Sequence, residues 1–184
     1  MYVERTDNMK ELFPEPPVLA GGRLCLKPLS LPDAGSLRAL TQEESVYRYL
    51  PTFLFEKKYS RPEDVLLRLY DEGLNDSLIL GIFMEKRFCG LLEVYSYRAP
   101  IRKASVGYRL LREEWGKGIA TESLGMMIDE LLNARGIEII TASTMLENRA
   151  SARVLQKNGF TLVNHAVGED WGFPEPTLAD KWIR

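Results

Sequence analysis

The stretch from Val106 to Leu124, Val-Gly-Tyr-Arg-Leu-Leu-Arg-Glu-Glu-Trp-Gly-Lys-Gly-Ile-Ala-Thr-Glu-Ser-Leu, constrains the fold more than any other. Ala104 to Leu111 reads as a strand, and residues 116 to 134 read as a long helix with Ile119, Leu124, Met127, Ile128 and Leu131 along one side. Gly116 and Gly118 stand at the junction. The first amide groups of a helix have no acceptor inside it, and with the helix dipole they form an anion site. Glycines keep side chains out of the way, so the backbone can approach a pyrophosphate closely. Thr121 adds a hydroxyl, and Lys117 adds a charge at the rim. A bare Gly-x-Gly is only a turn signal, so position and neighbours carry the weight. No Gly-Lys-Ser/Thr follows, which excludes a P-loop, and the pair does not follow the first strand of a dinucleotide unit.

The elements around this junction divide the chain. Residues 1–22 read as an N-terminal arm, because Pro14, Pro16, Pro17 and the Gly21-Gly22 pair forbid a continuous helix there. Residues 23–184 then form one domain. Arg23 to Leu29 alternates like a half-buried strand, Pro32-Asp33 opens a short helix, and Glu44 to Leu50 is a second helical segment. Ser60-Arg-Pro-Glu63 signals a third helix with Ser60 as its N-cap. Strands follow at Ser77 to Met84 and Phe88 to Tyr97, joined by the Glu85-Lys86-Arg87 turn. After the long helix come a strand (Ile137 to Ser143), a helix (Arg149 to Lys157) closed by Asn158-Gly159, and another strand (Phe160 to Val167). In the tail, Leu178 to Ile183 offers a last strand. Early helices, an antiparallel meander and strand–helix–strand–helix–strand imply one mixed sheet with helices on both faces.

Composition excludes several classes of function. A net charge of -2 supplies no field for nucleic acid or an anionic membrane, and Lys57-Lys58 and Arg102-Lys103 read as solvated surface. Cys25, Cys89 and the lone His165 provide no metal-ligand set, so no metal is expected. No apolar run is long enough for a signal peptide or a membrane span, which makes a cytoplasmic protein the default.

With Trp115-Gly-Lys-Gly118-Ile-Ala120 read as one unit, the chain resembles the GNAT superfamily of N-acetyltransferases, whose pyrophosphate motif is Gln/Arg-x-x-Gly-x-Gly/Ala. Trp115 departs from the strict motif, but Trp-Gly-Lys-Gly is common in the branch of ribosomal-protein N-terminal acetyltransferases, the RimJ/RimL type. A second match lies downstream, where Asn148-Arg-Ala-Ser151 and the following Gly159-Phe160 are similar to the family's Asn-x-x-Ser/Ala…Gly-Phe segment. The resemblance implies an α/β (α+β) fold: one GNAT-type domain with a mixed, mostly antiparallel sheet of about seven strands, splayed at the coenzyme site. It implies acetyl-CoA as cosubstrate and an amine acceptor, either a protein N-terminus or a small molecule. Tyr108, Arg109 and Leu110 would present backbone groups to the pantetheine arm. Gly116, Lys117, Gly118, Ile119, Ala120 and Thr121 would hold the pyrophosphate, and Asn148 would help from the next helix. The tail leaves room for a homodimer.

The proton-transfer groups need a separate assignment. Some members carry Tyr at the position of Leu155 and Glu at the position of Ser143, and neither group is present here. Ser151 is the candidate hydroxyl on the thiol side, with Tyr108 as a fallback donor, although Ser151 equally suits a first-turn residue bonded to backbone. Glu93 is the candidate base: it interrupts the apolar run Leu91, Leu92, Val94, where desolvation raises a carboxyl pKa. An exposed place on an alternating strand competes with that role. Glu147 is a rival base, and an amine that arrives neutral needs only water. His165 lies away from both motifs, and Trp171 and Trp182 serve either the core or an acceptor groove. The missing groups also admit a non-catalytic acyl-CoA-binding module.

Overall fold

Apolar alternation on consecutive runs builds an eight-stranded sheet in the computed structural model, which describes residues 6–184. The elements in chain order begin with α1 (Met9–Leu12), β1 (Leu19–Gly21), β2 (Leu24–Lys27), α2 (Ala34–Gln42), α3 (Glu44–Tyr47) and α4 (Pro62–Arg68). They continue with β3 (Ser77–Met84), β4 (Arg87–Arg98), β5 (Lys103–Leu110), α5 (Ile119–Asp129), β6 (Ile139–Met145), α6 (Arg149–Lys157), β7 (Thr161–Glu169) and β8 (Thr177–Ile183). The strand order is β1-β2-β3-β4-β5-β6-β8-β7, antiparallel throughout except for the parallel β5–β6 pair. Two cores flank the sheet. The larger holds Leu80, Leu92, Val106 and the buried side of α5, and the smaller holds Ile79, Leu91 and the apolar sides of α2 and α4.

Four expectations change. The strand beyond the expected seven is β1, a hairpin partner of β2 in which Leu19 faces Leu26 and Gly21 faces Leu24. Gly22 turns between them at φ 56°, so the glycine pair makes a hairpin corner and does not merely break structure. The segment read as an arm is built into the domain. Its first five residues lie outside the described ones, but Met9 and Phe13 are fully buried in the larger core. The prolines do limit α1 to one turn.

The third change concerns α4. Pro62 occupies its first turn, and a residue before proline is held extended, so Arg61 (φ -107°, ψ 127°) takes the N-cap position. Ser60 stands one residue too early. Ser60→Ala is therefore expected to move the urea midpoint by no more than about 0.5 kcal/mol in stability, whereas loss of a true cap costs about 1 kcal/mol. The long helix also divides: α5 stops at Asp129 and a π-helical turn carries Glu130–Ala134.

Candidate active site

Strands β5 and β6 are paired only from Lys103 to Ser105 against Ile139 to Thr141. Beyond that point they part, and the Ser105 and Thr141 hydroxyls meet at 2.8 Å where they fork. A cavity of about 800 Å³ opens above the fork. The free edge of β5 can be assigned by alternation. Leu111 N–H donates to Cys89 C=O of β4 at 2.9 Å, so period two turns the polar groups of Leu110 and Tyr108 the other way, into the gap. Leu110 C=O accepts from the Trp115 indole N–H at 3.0 Å, in agreement with that assignment. Arg109, expected to offer backbone groups with its neighbours, instead turns its carbonyl to β4, where a Cβ on Gly90 would meet it at 2.2 Å.

The same alternation puts different chemistry on the two faces of β5. On the α5 side, the Tyr108 hydroxyl lies 2.7 Å from Ser151 Oγ. Burial raises the Tyr108 pKa, with the Ser151 contact partly opposing it, so the phenol stays a proton donor. Asn148 caps α6: its side-chain oxygen accepts from Ser151 N–H at 3.2 Å. The candidate hydroxyl, the fallback donor and the capping Asn thus form one cluster. Leu155 is buried in the core beneath it.

On the opposite face, Glu93 lies across from Gly107 in the β4–β5 register and is 8% exposed. It is not an isolated carboxylate in an apolar run. Arg109 Nη1 donates to its Oε2 at 2.7 Å, while Arg109 Nη2 donates to Glu56 Oε2 at 2.6 Å. Glu56 in turn accepts from the Tyr47 hydroxyl at 3.1 Å. Burial works against the Arg109 charge, but Glu56 and then Glu93 outweigh it and hold the guanidinium pKa above its usual value. Burial and the Glu56 charge likewise raise Tyr47. Glu56 was missed from sequence because a Glu in a short helical turn carries no local signal.

Glu169 was missed as well. It lines the cavity, pairs with Lys181 and accepts from Trp171 Nε1 at 3.0 Å, while Lys181 also reaches Ser143 Oγ at 3.2 Å. Of the two tail tryptophans, Trp171 lines the cavity, and Trp182 packs in the core and donates to Thr144 Oγ1 at 2.9 Å. His165 is exposed and lies 2.6 Å from Asp180, remote from the fork.

At the glycine loop, Gly116 (φ 75°) and Gly118 (φ 79°) both adopt left-handed backbone, which requires glycine on conformational grounds. A Cβ at Gly116 would meet nothing, so the space beside it is open. The first bond within α5 runs from Glu122 N–H to Gly118 C=O at 3.0 Å, leaving the amides of 118 to 121 without helical acceptors. Gly116, Ala120, Tyr108, Leu110 and Asn148 line the cavity. Ile119 does not, since its side chain is buried in the core. Lys117 is held 3.3 Å from the buried Glu114, and Arg23 Nη2 donates to Lys117 C=O at 2.6 Å, which pins the loop from outside.

A forked sheet with open amides beside a glycine loop fits the grip on a pantetheine-pyrophosphate cosubstrate. Residues 23–161 match the family model described as the Acetyltransferase (GNAT) domain, and the chain belongs to that family of acyltransferases. Among named relatives it is 28% identical over 150 residues to the probable N-acetyltransferase YjcK of Bacillus subtilis, with 78% of this chain and 83% of that one covered. Among solved structures it resembles Mycobacterium smegmatis RimJ in complex with CoA-disulfide (TM-score 0.79, 21% identity, 92% of this chain and 87% of that one). It also resembles a Vibrio cholerae spermidine N-acetyltransferase in complex with CoA and spermine (TM-score 0.73, 20% identity, 89% and 96%). A CoA-type cosubstrate and acetyl transfer follow at the level of the family.

Proposed function

We propose that the chain moves an acetyl group from acetyl-CoA to a primary amine by direct attack within a ternary complex. The observation that carries this reading is the fork between β5 and β6, which has a hydroxyl pair on one side and a buried carboxyl group on the other. Bound acetyl-CoA supplies an acyl carbon activated as a thioester. Amides 118 to 121 and the glycine backbone hold its pyrophosphate, with Lys117 at the rim, Thr121 adding a hydroxyl and Asn148 assisting from α6. Tyr108 and Leu110 hold the pantetheine arm by their gap-facing backbone.

Leu110 N–H donates to the acyl oxygen as negative charge grows there; its carbonyl is already committed to Trp115. Glu93 accepts a proton from the acceptor ammonium, which frees the nitrogen lone pair. Arg109 and Glu56 fix the position of that carboxyl group. The nitrogen bonds to the acyl carbon and the C–S bond breaks; on the other side the Tyr108–Ser151 pair passes a proton to the departing sulfur, and the second proton, shed by the new amide nitrogen, restores the pair through solvent. This hydroxyl pair would stand in for the Tyr absent at Leu155, which supports the transferase reading over a merely acyl-CoA-binding module.

Calorimetric titration with acetyl-CoA tests the coenzyme half. Wild type is expected to bind in the micromolar range. Gly116→Trp, at the loop glycine that lines the cavity and has open space where a Cβ would stand, is expected to weaken binding roughly a hundredfold, about 2.7 kcal/mol, with its circular dichroism unchanged. Failure of wild type to bind would sink the reading. Thiol release in the presence of a panel of amines tests the transfer half.

A further inference from the structure

The corner between β1 and β2 rests on the glycine loop and on the first turn of α5, 99 residues further along the chain. Three donors of Arg23 converge there. Its backbone N–H donates to Glu122 Oε1 at 3.3 Å, Nε donates to Glu122 Oε2 at 2.9 Å, and Nη2 donates to Lys117 C=O at 2.6 Å. Gly22 makes the room for this. A Cβ there would stand 2.8 Å from Glu122 Oε1, on a backbone that already favours glycine at φ 56°. The corner is shaped to receive one carboxylate from α5.

That carboxylate stands where a second anion is wanted. Glu122 is the acidic residue in the first turn of α5, the turn whose open amides and dipole attract negative charge. It suits the helix by itself, but it competes with a pyrophosphate for the same positive end. Arg23 takes up both of its oxygens and cancels the charge. With side chains 47% and 31% exposed, the ion pair itself adds little stability. The third contact of Arg23 does more. Across a trans peptide, a carbonyl and the next N–H point in opposite directions. Lys117 C=O, held by Nη2 on the hairpin side, therefore leaves Gly118 N–H facing away from the hairpin. Left-handed glycines flank Lys117 on both sides, so the chain alone fixes the rotation of that peptide poorly.

We infer that Arg23 is a positioning residue for the coenzyme: it neutralises Glu122 and aligns the Lys117–Gly118 peptide so that Gly118 N–H meets the pyrophosphate. The inference rests on the coenzyme reading of the glycine loop. Arg23 touches no reacting atom, so its loss appears in the affinity for coenzyme and not in the chemical step. The β1–β2 hairpin thereby belongs to the coenzyme site, although its first strand lies in the segment read from sequence as an arm.

The test titrates CoA by calorimetry into wild type, Arg23→Met, Glu122→Gln and the double variant, each checked for fold by circular dichroism. Arg23→Met is expected to bind CoA about tenfold more weakly than wild type, the scale of one charge-assisted hydrogen bond. Glu122→Gln keeps an acceptor for Nε without the competing charge, and is expected to bind more tightly than wild type. The double variant is expected to fall between Arg23→Met and wild type, about threefold weaker than wild type, because the repulsion is gone but the peptide stays unaligned. An amide proton that bonds an anion moves downfield. At saturating CoA the Gly118 amide resonance of wild type is expected to do so, and that of Arg23→Met to stay near its free position while the Leu110 amide still moves. A residue that merely held the fold together would affect both resonances alike. Arg23→Met equal to wild type, Glu122→Gln as weak as Arg23→Met, full recovery in the double variant, or a Gly118 displacement that survives Arg23→Met overturns the inference. Wild type that fails to bind CoA overturns the coenzyme reading, and the role of Arg23 with it.

Discussion

Arg109→Met is expected to destabilise the protein by about 3–5 kcal/mol, read as a fall in the urea midpoint, because it strands two carboxyl groups that are taken out of water together. Glu56 and Glu93 have side chains only 1% and 11% exposed, so water cannot take over the role of the guanidinium. The loss should come from unpaired polar groups and not from lost volume. The triple variant Glu56→Met, Arg109→Met, Glu93→Met removes all three formal charges and leaves no buried polar group in their place, and is accordingly expected to recover most of the stability, as apolar replacement of whole buried ion clusters does. It should still lack the carboxyl group proposed as the base. A single Arg109→Met variant within about 1 kcal/mol of wild type would show that the three side chains do not form one network in solution.

The second large effect concerns the opposite face of β5. Combined Tyr108→Phe and Ser151→Ala substitutions are expected to lower kcat for acetyl transfer about 10²-fold, the lower end for a general acid, while the Kd for acetyl-CoA changes little. Each single substitution should cost less than the pair, because the two hydroxyls lie 2.7 Å apart and either can bond the sulfur directly. If Ser151→Ala alone gave the full loss, Tyr108 would be only an orienting neighbour. If the double variant kept full kcat, the proton would have to reach the sulfur from water.

These two faces differ in how far they can be read from the chain. The Tyr108 side is built from local signals: a strand, a glycine loop, a helix, and an Asn that caps the next helix three residues before Ser151. Each of those is set by propensity and capping within a few residues, and each lies where the sequence puts it, apart from helix ends that shift by a turn. The Arg109 side depends on contact across the fold. Glu56 is 53 residues from Arg109, and Glu169 meets Lys181 across the β7–β8 pair, 12 residues on. A charged residue on an alternating strand looks like solvent-facing surface until its partner is known, which is why Arg109 reads as a backbone contributor and Glu93 as a solitary carboxylate. The Ser60 cap fails for a simpler reason: two local rules compete, and the constraint before Pro62 wins over the capping box.

Strand β8 lies between β6 and β7 although it follows both in the chain, and among the described residues β7 pairs in the sheet with β8 alone. During synthesis β7 therefore leaves the ribosome before the strand that will hold it. Until β8 arrives, β7 has its hydrogen-bonding edge vacant, with Leu162 and Val163, which stay exposed even in the finished fold, along it, and β6 is open on the same side. Closure of the β6-β8-β7 end of the sheet is thus expected to be a late, cooperative step of biogenesis, whereas the β1 to β5 end can be complete before it. A nascent chain paused before residue 177 would be expected to recruit chaperones through that edge, and to release them once β8 slides in.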